Sequence, residues 1–207
     1  VPGFPKEGCL PTCHVEVDAA KYLESQGLGD IWHWKAARTN AAGYCDDKHI
    51  THVREGEDGG RHGDAPGVHP GYRDNATPDG AGPAFMADPE DPPGDPRFLF
   101  ADRAVPIPPE TVFSPGTRIP GYLLARPDGS RGDIAAAGVW KDGAWTVEMR
   151  RALVTGHEDD VVFDDLARPY RFAVAVADDA SGAEHAFSGV LRLVFEPRGI
   201  GGMKRVE

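Results

Sequence analysis

The stretch Asp133-Ile134-Ala135-Ala136-Ala137-Gly138-Val139-Trp140-Lys141-Asp142-Gly143-Ala144-Trp145-Thr146-Val147-Glu148-Met149-Arg150-Arg151-Ala152-Leu153 decides how the chain is read. Lys141-Asp142-Gly143 is a hairpin signal, because Asp and Gly tolerate the positive φ that a tight turn demands. On its far side Trp145, Val147 and Met149 alternate with Thr146, Glu148 and Arg150, the period of a strand with one buried face. That alternation assigns Met149 to the core. The expected strands are Asp133–Lys141 and Ala144–Leu153.

Outward from this hairpin the same signal recurs. Ile119–Ala125, Tyr170–Ala177 and Ala186–Phe195 read as further strands, with Phe172, Val174 and Val176 on one face of the second. In the third, Phe187, Leu191, Leu193 and Phe195 share a face. Gly 26 and Pro 19 in 207 residues argue against a helical bundle. Short strands between turns predict a mainly β fold, an antiparallel β-sandwich with short helices and long loops. The length suits a single domain over residues 1–207, with 197–207 as a glycine-rich tail. No internal repeat is visible.

The N-terminal half reads differently. Glu16–Gln26 predicts a short helix ended by Gly27 and Gly29. Asp30 is a good N-cap for a second helix over Ile31–Arg38. In such a helix Trp32 and Trp34 diverge, so one enters the core while the other covers a partner or cofactor. Residues 55–96 show almost no periodic apolar signal, and a loop of that length is functional or disordered. Its one apolar island is Gly82-Pro83-Ala84-Phe85-Met86.

The formal net charge is -11. With no Lys/Arg cluster, nucleic-acid binding is excluded. The acidity suits plain solubility, and equally the steering of a basic redox partner. No apolar run approaches the roughly 20 residues of a membrane-spanning helix. No signal peptide is visible, and the start at Val1 is read as the trace of a removed leader or upstream segment. There is no phosphate loop, nucleophile elbow or catalytic triad.

Chemistry concentrates in Cys9-Leu10-Pro11-Thr12-Cys13-His14. Two cysteines followed by histidine suit haem attachment, with His14 as an axial iron ligand, although the usual spacing has two intervening residues and here there are three. A small Cys9–Cys13 disulfide loop is the alternative. Cys45 is then left over, and either chemistry places the chain outside the cytoplasm, in the periplasm or beyond. Met86 is a candidate second ligand through its thioether, or a filler of a gap beneath the loop. His33 is a candidate ligand or propionate partner, or a structural histidine. His49, His52, His62 and His69 form a weak zinc pattern. The acids Asp46-Asp47, Glu158-Asp159-Asp160 and Asp164-Asp165 lack calcium-loop spacing and read as solvated faces.

Gly29-Asp30-Ile31-Trp32-His33-Trp34-Lys35-Ala36-Ala37-Arg38-Thr39, with Gly43-Tyr44 and Asp46-Asp47, resembles a signature of the ethylbenzene dehydrogenase haem-domain family. Gly8–His14 is similar to a branch of that family carrying Gly-Cys-x-x-x-Cys-His. Trp145–Leu153 and Arg171–Val176 resemble its late strands, so the similarity spans roughly residues 8–195. The resemblance implies a sandwich like those of carbohydrate-binding modules, holding one haem under long loops. It also implies kinship with gamma subunits of periplasmic molybdenum enzymes, whose b-type haem has methionine and lysine ligands. Met86 lies where that methionine is expected. Around Leu166-Ala167-Arg168, where the lysine would fall, there is none, so the resemblance gives its place to His14 and makes the haem c-type, with b-type as the alternative. The implied cofactor-binding set is Cys9, Cys13, His14, Met86, Trp32, His33 and Trp34, with His14 and Met86 on the iron. The implied role is electron transfer between periplasmic redox partners, a membrane complex or molybdenum-enzyme subunits, with no substrate chemistry of its own. The alternative is a non-redox binding or scaffolding module. The resemblance also implies further strands before the cysteine segment, so the chain is expected to be truncated or completed by another segment.

Overall fold

The computed structural model describes residues 26–53, 60–92, 94–177 and 185–195. Cys9, Cys13, His14, the tail, and all of the expected first helix except Gln26 lie outside them. The fold is mainly β. The strands are β1 (Leu28–His33), β2 (Asp46–Thr51), β3 (Arg61–Gly63), β4 (Arg73–Asp74), β5 (Phe85–Ala87), β6 (Leu99–Phe100), β7 (Ala104–Pro106), β8 (Tyr122–Leu124), β9 (Ala135–Lys141), β10 (Ala144–Arg150), β11 (Tyr170–Phe172), β12 (Ala175–Val176), β13 (Ala186–Phe187) and β14 (Leu191–Leu193). Single 3₁₀ turns occupy Ala101–Arg103 and Ser130–Gly132. Among the described residues no sheet exceeds three strands. The chain divides into two compact units, the larger formed by residues 30–49 and 63–159.

In the larger unit β9 and β10 pair antiparallel, with Trp145 opposite Trp140, Val147 opposite Gly138 and Met149 opposite Ala136. Asp142 (φ 53°) and Gly143 (φ 80°) make the turn, as the sequence predicts. The expected buried face is not closed, however. Trp140, Trp145 and Met149 are 58%, 44% and 37% exposed. The core cluster of Cys45, Ile134 and Ala136, with Trp32 and Trp34 against it, covers only the Ala135–Gly138 end of the ribbon. Beyond Gly138 the ribbon outruns that core, which leaves Trp140 and Trp145 in solvent; Met149, although it pairs with the buried Ala136, is also a surface residue and not the core residue expected.

The second expected helix is also replaced. Residues 28–33 are β1 and a turn follows, in which the Arg38, Thr39 and Asn40 amides all donate to Lys35 O. Packing decides this. In an extended chain residues two apart share a face, and Trp32 and Trp34 do pack on the same core cluster. Asp30 is therefore a strand residue and not a cap.

The region read as structureless holds β3, β4 and β5. β4, β8 and β6 form one sheet in the order β4-β8-β6, with β6 and β8 parallel, and its Leu99, Leu123 and Leu124 are buried. Asn75 fastens the neighbouring β5: its Nδ2 donates to Phe85 O and Pro120 O, each at 2.9 Å, and its Oδ1 accepts from the Phe85 amide at 2.9 Å.

In the smaller unit Tyr170–Ala177 breaks into β11 and β12, and Ala186–Phe195 into β13 and β14. β11 pairs with β14 and β12 with β13. Phe163, Tyr170 and Phe195 form a T-shaped ring cluster at 4.8–6.0 Å. Phe172, Val174, Val176, Leu191 and Leu193 are exposed, so the predicted buried face of these strands is not seen.

Candidate functional site

The run from Asp30 to Asn40 makes several long-range side-chain contacts in the larger unit. Trp34 Nε1–H donates to Asn40 Oδ1 (3.3 Å), and Asn40 brackets Gly138 through its amide (2.6 Å) and carbonyl (3.0 Å). Only glycine fits at 138, because a Cβ there would lie 2.3 Å from Trp34 Cζ2. The Trp34 ring meets Trp145 edge-on at 5.0 Å, and Trp145 continues to Trp140 at 5.5 Å. Trp32 turns elsewhere and carries the Arg151 guanidinium over its face at 5.0 Å.

Lys35, buried at the start of the turn, ion-pairs with Asp46. Arg131 Nε–H donates to the other Asp46 oxygen at 2.6 Å, and Lys48 Nζ stands at 3.8 Å. The Tyr72 ring lies among Lys35, Arg38 and Arg131 at 5.0–5.8 Å. Burial alone would raise the Asp46 carboxyl, but the hydrogen bonds and charges of Arg131 and Lys35 outweigh it and hold it below the usual carboxylate range. The partners feel the pair unequally: burial lowers Lys35, whose single anion is offset by Arg38 and Arg131. Arg151 Nη1–H donates to Asp30 at 2.6 Å and to Asp47 at 3.3 Å. Asp46 and Asp47 are therefore fully buried members of a charge network, not a solvated face.

His33 follows Trp32 with its edge in solvent. Desolvation, then the positive charges of Lys35 and Lys48, push it down to about 3. At neutral pH it is an uncharged imidazole, able to coordinate a metal or hydrogen-bond, but bringing no charge to a propionate. Met86 lies on β5 between Phe85 and Ala87, half-buried, paired with Val105. It stands on a different sheet from the Trp32–Trp34 run. Cys45 is a free thiol at zero exposure, and burial pushes its pKa up. A thiol buried in apolar surroundings in this way is unreactive.

Met86 carries a thioether of the kind that can ligate a haem iron, half-buried on a strand fastened by Asn75; His14, Cys9 and Cys13 lie outside the described residues. Two open pockets of the larger unit lie elsewhere. One of about 150 Å³ is lined by Ala37, Phe98, Tyr122 and Leu124, and one of about 390 Å³ by Arg126, Asp133, Arg150 and Arg151. No helix of the described residues is long and apolar enough to cross a membrane.

Several of these residues escape a reading of the sequence. Arg131 sits in a 3₁₀ turn and Tyr72 in irregular chain just before β4, neither with a periodic signal, and the bracket of Asn40 on Gly138 joins residues 98 apart. Asp46-Asp47 carried the one usable cue: two acids directly after the apolar Tyr44-Cys45. The sequence profile of the ethylbenzene dehydrogenase family matches residues 3–186. Neither the curated proteins nor the solved structures contain a match.

Proposed function

Since this chain belongs to the ethylbenzene dehydrogenase family, we propose that it is a one-haem electron-transfer subunit working outside the cytoplasm, in the periplasm. The observation that carries this reading is the Cys9-x-x-x-Cys13-His14 segment within a chain of that family. Cys9 and Cys13 would hold the haem covalently, and His14 and Met86 would ligate its iron. Bound haem supplies a one-electron couple, and a thioether ligand raises its potential relative to a second histidine. The chain's own part is to fix the ligands. The Asn75 bonds and the β5–β7 pairing hold the Met86 backbone, which limits reorganisation when the iron changes charge. Sealing Cys45 in the core leaves Cys9 and Cys13 as the pair available for attachment. Substrate chemistry belongs to partner subunits of a molybdenum enzyme or to another redox complex.

A pyridine haemochrome spectrum with an intact-mass measurement tests this. The expected result is a c-type spectrum and a mass raised by one haem. A b-type spectrum removes the covalent bonds, and a colourless protein two hydrogens lighter, with a Cys9–Cys13 disulfide, removes the haem. Met86→Ala should abolish the weak thioether-to-iron band of the oxidised protein, and a band that survives excludes Met86.

A further inference from the structure

The larger unit contains a second cluster of donor atoms, distinct from the proposed haem ligands and from the Asp46 network. His49 on β2, Asp64 just after β3, and Asp159 in the loop after β10 each present one donor atom, all within 4.8 Å of one another. His49 Nδ1 and Asp64 Oδ1 are 2.6 Å apart, within hydrogen-bond distance. Asp64 is 1% exposed, and His49 and Asp159 are half-buried. The Asp159 carboxylate is held from outside the cluster, accepting from Ser130 Oγ–H at 2.7 Å and from the Ala65 amide at 2.9 Å. These bonds, with desolvation opposing them, keep Asp159 below the ordinary carboxylate range and ionised. The histidine pattern in the sequence pointed to His49, His52, His62 and His69. The fold gathers His49 with two aspartates that the pattern does not contain.

We propose that His49, Asp64 and Asp159 bind a divalent first-row transition ion, with Zn²⁺ as the natural probe. One imidazole nitrogen and two carboxylates on three separate segments are a donor set for such an ion, which prefers nitrogen more than Ca²⁺ or Mg²⁺ does. At metal–ligand distances of about 2.1 Å, tetrahedral donor atoms lie about 3.4 Å apart. The cluster therefore contracts slightly, while the His49–Asp64 pair opens as the ion replaces the proton on Nδ1. That proton is released or passes to Nε2, and the fourth position falls to water. The ion ties β2 to two loops that the sequence separates by 15 and 110 residues, which makes it a structural staple. It is independent of the haem, and either can fail without the other.

The test is a calorimetric Zn²⁺ titration of the purified full chain after chelator treatment, followed by metal analysis. One Zn²⁺ per chain is expected, with affinity at least tenfold weaker in His49→Gln and in Asp159→Asn, and unchanged in His52→Ala and His62→Ala. Asp159→Asn keeps an acceptor for Ser130 and Ala65, so it separates loss of a ligand from loss of fold. In the unmodified chain, ¹⁵N-histidine spectra should move at Nδ1 of His49 when Zn²⁺ is added. No uptake, uptake indifferent to both ligand variants, binding of Ca²⁺ but not Zn²⁺, or a shift at His52 or His62 instead of His49 would each overturn the site.

Discussion

Asp46 and Trp140 occupy the same unit under opposite rules: the aspartate has no exposed surface, and the tryptophan is 58% exposed. Around Asp46 the interior is ionic, with Lys35 and Arg131 as direct partners. Along the β9–β10 ribbon the apolar side chains stand in solvent. The difference lies in how each group is satisfied. A buried charge must be paired to stay folded, whereas an exposed indole forgoes burial energy and leaves nothing unsatisfied. The first region is therefore sensitive to single changes and the second tolerant of them.

The sharpest way to break that contrast is Asp46→Asn. It leaves Lys35, 7% exposed, and the Arg131 guanidinium without their anion, and removing one partner of a buried pair costs about 3–5 kcal/mol. Urea unfolding at neutral pH measures it, and a loss below about 1 kcal/mol would mean that Lys35 escapes to water. Acid should reveal the same region. Asp46 and His33 both have folded pKa values below their ordinary ones. The unfolded chain then binds more protons, so stability falls as pH falls. For His33 the window runs from about 6.5 down to about 3, and for Asp46 it lies below the ordinary carboxylate value. His33→Gln should flatten the first window and leave the second. An unchanged slope would show that His33 already carries its proton in the fold.

Gly138→Ala tests the seam between the two regions. The added Cβ would lie 2.3 Å from Trp34 Cζ2 and 3.1 Å from Asn40 Oδ1. Overpacking of this kind costs about 1–3 kcal/mol. It should also displace Trp34 from Trp145, which tryptophan fluorescence would report. A neutral variant would mean that the ring shifts freely and that the Asn40 bracket does not define its position.

What the sequence disclosed follows from the same contrast. The β9–β10 hairpin was legible because its turn is specified by two adjacent residues, Asp142 and Gly143, and its strands by local alternation. Alternation cannot tell whether a face is covered. Met149, Val176, Leu191 and Leu193 carry the pattern of a core and are exposed. Trp32 and Trp34 were misplaced on a helix because Asp30 is a sound cap locally, and only the distant Arg151 and Trp145 make the extended form better. The Asp46 network was invisible for a related reason. Its partners Tyr72 and Arg131 come from segments 26 and 85 residues away, and an acidic pair in isolation reads as surface. The Asp64–Asp159 pair escaped in the same way, since only folding brings it to His49.

The smallest effect should come from the ribbon tip. Trp140→Ala removes a ring that is mostly in water and whose main recorded neighbour is Trp145, at 5.5 Å and tilted by 56°. An aromatic pair of that kind contributes about 0.5–1.5 kcal/mol beyond its buried area, so the loss should be near 1 kcal/mol. The fluorescence of Trp145 should rise in exposure while the Trp34–Asn40 bracket stays intact. Chemical denaturation of the chain, produced with and without haem supplied, is the measurement. A loss of 3 kcal/mol or more, the scale of a buried tryptophan, would show that the apolar face of the ribbon is covered in solution. If that loss appeared only in the haem-loaded protein, the cover would depend on the cofactor. If it appeared in both, the cover would be protein, and Trp140 would join the interior that Asp46 already occupies.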